Sequence, residues 1–180
     1  METPAAICCG RIDHGHHAGQ AGYALEEAVE FARAIQWAID NTDSEETLIL
    51  VTADHSHVFT IAGYPRRGND ILGLVVPPEM GERENVGEDG TLLAGDGKPY
   101  TTLGYANGPG AVAMDAEDGR PIPETGVKAH QQALVPTGSE THGGEDVALY
   151  ANGPGAENVR GVMEQNLIYD VIRKAFGWAE

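Results

Sequence analysis

The sequence predicts an α/β fold, from two adjoining stretches of different period and from the acid-and-imidazole cluster directly behind the second. From Leu25 onward the apolar residues Leu25, Ala28, Val29, Ala32, Ile35 and Ile39 recur at three- and four-residue steps, the spacing of one helix face. Thr47-Leu48-Ile49-Leu50-Val51-Thr52 is then a short, nearly all-apolar run rich in β-branched residues, the pattern of a strand covered on both faces. Asp54, His55 and His57 come directly after it. In parallel α/β sheets the crevice beyond the strand carboxyl ends is where ligands bind.

Met1 to Cys9 shows no periodicity. Arg11-Ile12-Asp13-His14-Gly15-His16-His17 then places one carboxylate and three imidazoles side by side, ahead of the helix. The polar face of that helix carries Glu26, Glu27, Glu30 and Arg33, and Asn41-Thr42-Asp43-Ser44 breaks it.

From Gly63 to about Ser139 the composition turns to Gly, Pro and acidic residues. Pro77-Pro78, Gly81-Glu82-Arg83-Glu84 and Gly95-Asp96-Gly97 punctuate short apolar pieces such as Ile71 to Val76, so a surface insertion with small strands is expected. The hexapeptide Tyr-Ala-Asn-Gly-Pro-Gly occurs at Tyr105 to Gly110 and again at Tyr150 to Gly155. With dissimilar flanks, it reads as recurrent turn chemistry rather than a modular repeat. Asp146 to Tyr150 resembles a strand. Val159, Val162, Met163, Leu167, Val171, Ile172 and Ala175 trace a second amphipathic helix, with Gly177 as its stop.

The bulk numbers bound the function. A chain of 180 residues is the size of one domain, and 11 Lys plus Arg against 28 Asp plus Glu give a net charge of -17, which disfavours nucleic acid as a partner. Cys8 and Cys9 are the only cysteines and are adjacent, so no disulfide framework is expected. No basic segment followed by an apolar core opens the chain, and no apolar run approaches the ~18 residues of a membrane span.

Six of the 7 histidines fall in three packets: the first is Arg11 to His17, the second Thr52 to His57, the third Glu140-Thr141-His142-Gly143-Gly144-Glu145-Asp146. Zinc takes imidazole nitrogens and carboxylate oxygens in tetrahedral sets, and a catalytic zinc keeps one position open. Asp13 and His17, four positions apart, project to one side if a helix begins there. Asp54 and His55 at a strand end can aim into the same crevice, and His142 could complete the first set. A lone histidine is usually a satisfied surface or core residue; clustering at element boundaries favours the metal reading, and His130 keeps the bland one.

These stretches resemble the alkaline phosphatases, and within them the animal-type branch. Gly-Arg-Ile-Asp-His-Gly-His-His, Val-Thr-Ala-Asp-His-Ser-His-Val-Phe, Gly-Tyr-Pro-Arg-Arg-Gly-Asn, Asn-Gly-Pro-Gly and Glu-Thr-His-Gly-Gly-Glu-Asp-Val-Ala stand in the family's order from Gly10 to about Phe176. The resemblance implies a C-terminal part, residues 10–180, of a sandwich whose mostly parallel central sheet is flanked by helices. A crown-like insertion at about 63–139 and an unmatched segment at 1–9 complete the division. It implies phosphomonoester hydrolysis with two zinc ions and magnesium, a homodimer in the full-length family, and export to the periplasm or the cell exterior.

Residue by residue, it implies that Asp13, His17 and His142 hold one zinc and that Asp54 and His55 help hold the second. His57 orients the carboxylate of Asp13, and His14 stands near the phosphate, where bacterial relatives carry a lysine. Two departures accompany the match. The family's serine nucleophile lies in an Asp-Ser-Ala motif that occurs nowhere in these 180 residues. Cys8 stands where the family has a magnesium-binding glutamate. The expected function is accordingly that of an alkaline phosphatase portion supplying most zinc ligands, weakly active or inactive alone. A non-catalytic zinc-binding remnant and an interaction protein with an acidic surface stay open beside it.

Overall fold

The computed structural model describes residues 5–78, 85–112 and 119–178. In chain order its elements are α1 (Gly10–His17), α2 (Ala21–Asn41), β1 (Ile49–Val51), β2 (Ser56–His57), β3 (Phe59–Ile61), β4 (Leu103–Gly108), β5 (Ala133–Pro136), β6 (His142–Gly143), β7 (Tyr150–Asn152), a short 3-10 helix (Ala156–Asn158) and α3 (Leu167–Ala175). Helices and small sheets together make a mixed α/β chain, the class predicted. The expected turn at Gly81-Glu82-Arg83-Glu84 and the first residues of the 1–9 segment lie outside the described residues. Among the described residues no helix is long and apolar enough to cross a membrane.

Two compact units divide the chain. The first comprises Met1–Cys8, Glu30–Ser56 and Glu145–Glu180; the second comprises Cys9–Val29 and His57–Gly144.

In the second unit the His-rich stretch is a helix of its own rather than a run-in to the long one. Gly19, at φ +67°, sits in the left-handed region that ends α1, and the closing bonds run from Gln20 N–H to Gly15 C=O at 2.9 Å and from Gly19 N–H to His16 C=O at 2.7 Å. The chain turns there, and α2 starts back with Ala21 and Ala24 fully buried. Gly15 is what lets the helices approach, because a Cβ on it would lie 2.7 Å from the backbone nitrogen of Ala24. Behind α2, Ala21 packs with Leu103, Tyr105 and Ala133, and Leu25, Phe59, Leu72 and Ala111 close around them. The stretch expected to be a surface insertion therefore supplies much of this unit's core. Composition hid this because Gly and Pro turns separate the few apolar residues that do the packing.

The core is backed by a three-stranded sheet in which β4 runs antiparallel to β3 and parallel to β5. Arg120 pins the neighbouring loop, and its guanidinium donates to both carboxylate oxygens of Asp96, the carbonyls of Lys98 and Pro99, and the Oε1 of Gln132. The short strands β2 and β6 pair with each other, which brings His57 beside the Glu140–His142 turn.

In the first unit β1 pairs antiparallel with β7, Leu50 opposite Ala151. The strand expected to be covered on both faces is half-buried instead, since a two-stranded ladder leaves it uncovered along much of its length. The expected mostly parallel central sheet is likewise not formed among the described residues, where three small sheets stand in its place. The strand expected at Asp146 to Tyr150 begins only at Tyr150. The helix expected from Val159 begins only at Leu167, because Gly161 adopts φ +64° and Val162 is exposed to solvent. Its end is as expected: Gly177 is left-handed at φ +62°, with Trp178 N–H bonded to Arg173 C=O at 3.1 Å. The stripe of α2 is less buried than its periodicity suggests, and Val29, Trp37 and Ile39 are exposed.

Both copies of Tyr-Ala-Asn-Gly-Pro-Gly run as a strand into a turn. Ala111 N–H reaches Gly108 C=O at 3.2 Å in one, and Ala156 N–H reaches Gly153 C=O at 3.1 Å in the other. The turn-chemistry reading of the repeat holds.

Candidate metal centre

The end of α1, strand β2 and the turn entering β6 put four expected site residues together inside the second unit. Helical spacing places Asp13 and His17 one turn apart, with Oδ1 to Nε2 at 3.3 Å. The Nε2 of His142 lies 3.1 Å from that of His17 and 3.7 Å from the same carboxylate oxygen. Ligand atoms held about 2.0–2.1 Å from a tetrahedral zinc stand about 3.4 Å from one another, so these spacings match one triangular face of such a site. His17 is also oriented for the task. Its Nδ1 lies 2.7 Å from the carbonyl oxygen of Glu140, which fixes that nitrogen as the N–H donor and leaves the Nε2 lone pair facing Asp13 and His142. A histidine whose second nitrogen donates to a backbone carbonyl is the usual form of a metal-ligating imidazole.

His57 stands behind Asp13, with Nε2 3.2 Å from Oδ1 and Nδ1 2.7 Å from Oε2 of Glu140. One face of its ring is covered: His16 stacks on it at 4.5 Å between centroids and 26° between planes. His16 in turn meets the hydroxyl of Tyr105 at 2.8 Å through Nδ1. Burial pushes the His16 pKa down to about 4, with the neighbouring His57 adding to the effect, so near neutral pH this ring is an uncharged packing partner. Burial, reinforced by the charge of Glu140, pushes the Tyr105 hydroxyl up.

Within the second unit another set of possible donors, His17, His57 and Glu140, overlaps the first through His17. It is the poorer of the two for a metal, since Nδ1 of His17 already serves the Glu140 carbonyl and both carboxylate oxygens of Glu140 already accept hydrogen bonds.

The other expected residues are placed as follows. His14 is exposed on α1, and His130 is exposed as well. Asp54 and His55 belong to the first unit, where the Asp54 side chain is open to solvent and its Oδ2 lies 3.6 Å from Nε2 of His55. Beside them the Ser56 hydroxyl bonds to the carboxylate of Glu145. Cys8 is exposed and in that unit too. Glu140, His16 and Tyr105 were not anticipated as parts of the site. Glu140 opens the third packet, yet nothing local marks it, because its partner His57 is 83 positions away.

Residues 6–178 match the family model described as alkaline phosphatase. The chain belongs to the alkaline phosphatase family. It is 46% identical over 168 residues to the tissue-nonspecific isozyme of alkaline phosphatase from Homo sapiens, covering 92% of this chain and 29% of the human protein. Against alkaline phosphatase 4 of Drosophila melanogaster the identity is 45% over 181 residues, with 92% of this chain and 28% of the fly protein covered. Against the tissue-nonspecific isozyme of Gallus gallus it is 47% over 161 residues, with 88% and 28% covered. The chain thus spans less than a third of the length of the curated relatives it matches.

Proposed function

We propose that this chain supplies the zinc-holding part of an alkaline phosphatase, with Asp13, His17 and His142 as the ligands of one ion in a site for phosphomonoester hydrolysis. The observation that carries the reading is the triangle of ligand atoms at 3.1, 3.3 and 3.7 Å, with His17 locked in the ligating orientation by Glu140. Zinc in such a pocket supplies a Lewis acid for a phosphoryl oxygen and stabilises charge during in-line displacement.

The residues of the chain do the positioning. His17 and Asp13 are presented by a helix end that Gly19 terminates, His142 by the turn into β6, and His57 keeps the Asp13 carboxylate aimed. We assign Asp54 and His55 to a second zinc and His14 to the neighbourhood of the phosphate, and we read residues 63–139 as the crown-like part that would serve a homodimer. Support for these comes from the family's motifs in this chain. Cys8 in place of a magnesium-binding carboxylate predicts lost or altered magnesium dependence, since a thiol is a soft ligand and magnesium prefers hard oxygens.

The serine nucleophile has to come from a segment other than these 180 residues, which contain no Asp-Ser-Ala. The same observation favours a second reading, a chain that binds zinc without catalysis. One experiment tests both: zinc binding by calorimetry, together with aryl phosphate hydrolysis by the chain alone and mixed with an alkaline phosphatase segment bearing Asp-Ser-Ala. The proposal expects zinc binding weakened by His17→Ala and by His142→Ala, and turnover that rises on mixing and is lost when that serine is changed to alanine. Zinc binding without any gain on mixing supports the non-catalytic reading, and zinc binding indifferent to both histidine variants contradicts the assignment.

A further inference from the structure

We propose that Glu140 is a positioning residue of this centre, one buried side chain that aims Asp13 through His57 while its own backbone holds His17. The inference rests on the zinc reading of the same site and adds to it a residue that the motifs did not single out.

Glu140 is 1% exposed, and its carboxylate is entirely enclosed. A buried carboxylate is costly unless its oxygens are hydrogen-bonded, and here both are. Oε1 accepts the backbone N–H of Val58 at 2.8 Å, and Oε2 accepts Nδ1–H of His57 at 2.7 Å. The backbone of the same residue grips α1 at its last position twice: Glu140 N–H donates to the His17 carbonyl at 3.1 Å, and the Glu140 carbonyl accepts from the His17 ring at 2.7 Å. Two of the three candidate ligands therefore answer to this residue, His17 directly and Asp13 through the 3.2 Å contact with the far nitrogen of His57.

The His57 ring has little freedom to do otherwise. His16 stacks against one face, and the ring edge is held between two carboxylates. With Nδ1–H directed to Glu140, His57 is bound at one end in a fixed plane, and Nε2 steers the Asp13 carboxylate in that plane only while it carries a proton of its own, since a bare lone pair would repel the carboxylate oxygen. Partners that hold a ligand from behind in this way typically cost about 10–100-fold in metal affinity when removed.

Calorimetric zinc titration of the full chain tests this, with parent, Glu140→Gln, Glu140→Asp, His57→Ala and the double variant His57→Ala with Glu140→Gln. Glutamine keeps the volume and an acceptor for Val58 but loses the charge, so circular dichroism near that of the parent is expected, with zinc Kd weaker by about 10–100-fold. Aspartate restores part of the affinity. Because Glu140 acts on Asp13 through His57, the double variant binds no more weakly than His57→Ala alone. The 15N resonances of the His57 ring in the metal-free chain provide a readout independent of zinc. They shift in Glu140→Gln by more than those of His17, whose backbone acceptor survives the change and whose Nδ1 stands 3.7 Å from Oε2 against 2.7 Å for that of His57. A Kd within about twofold of the parent in folded Glu140→Gln, or fully additive losses in the double variant, overturns the proposal. Should the glutamine variant fail to fold, Glu140→Asp decides by the same two measures. A parent chain that binds no zinc overturns the zinc reading, whereas unmoved His57 resonances overturn the role of Glu140 by itself.

Discussion

The Nε2 atoms of His17 and His142 face each other across 3.1 Å, from side chains 125 positions apart in sequence. With Nδ1 of His17 committed to the Glu140 carbonyl, the facing nitrogen of His17 carries the lone pair. Long-range 1H–15N correlation on the metal-free chain near neutral pH should therefore show His17 protonated at Nδ1. Protonation at Nε2 alone would mean that the Glu140 contact does not set the ring.

Gly15 is predicted to be irreplaceable by alanine. A helical glycine normally gains about 0.5–1 kcal/mol from that change. Here the new Cβ would sit 2.7 Å from Ala24 N and 2.9 Å from its Cα, both backbone atoms that cannot rotate away. Overpacking of this kind costs about 1–3 kcal/mol, so the net effect is a loss. Urea denaturation of Gly15→Ala should show a lower midpoint, and a midpoint equal to or above the parent's would contradict the close helix approach.

The two hexapeptides should fail alike. A Cβ at Gly110 would lie 2.0 Å from the carbonyl oxygen of Gln131, and one at Gly153, where φ is +99°, would lie 2.0 Å from that of Thr47. Gly110→Ala and Gly153→Ala are each expected to lower the thermal midpoint, whereas Gly95→Ala, with open space around it, is expected to leave it nearly unchanged. Equal midpoints for all three would show that neither turn approaches its neighbour so closely.

Asp96 should give the chain an acid-sensitive clamp. Its hydrogen bonds with Arg120, then with the backbone of Lys98, hold its carboxyl below the ordinary value of 3.8. A depressed folded-state pKa means that the stabilisation is fully present above the unfolded value of 3.8 and is lost as pH falls through the lower, folded one. Chemical denaturation at a series of acid pH values should show this decline. Asp96→Asn should lower stability at neutral pH and flatten that part of the profile; an unchanged slope would rule out Asp96 as the clamp.

Much of the candidate site was legible in the sequence because its chemistry is packed into short segments. Asp13 and His17 share a helical turn, and the packets of His57 and His142 are visible by composition alone. What was not legible is long-range. Glu140 and Tyr105 matter through partners that only folding brings near, and a residue such as Glu140 looks like any acidic residue of a turn. The elements show the same division. Periodicity identified α2 and α3, but it does not register that Gly19 separates α1 from α2 or that Gly161 delays α3 to Leu167. Nor does it say what packs against a stripe, which is why Val29 and Ile39 could be placed on a face without being buried.

X-ray absorption at the zinc K edge tests the metal assignment most directly, on the full chain loaded with one equivalent of zinc. Ligation by Asp13, His17 and His142 predicts nitrogen and oxygen scatterers at about 2.0–2.1 Å with two imidazoles among them. One imidazole should disappear in His17→Ala and one in His142→Ala, whereas His130→Ala should leave the spectrum as it was. Sulfur at about 2.3 Å, placing the ion at Cys8 or Cys9, or an imidazole count untouched by either histidine variant, would contradict that ligation.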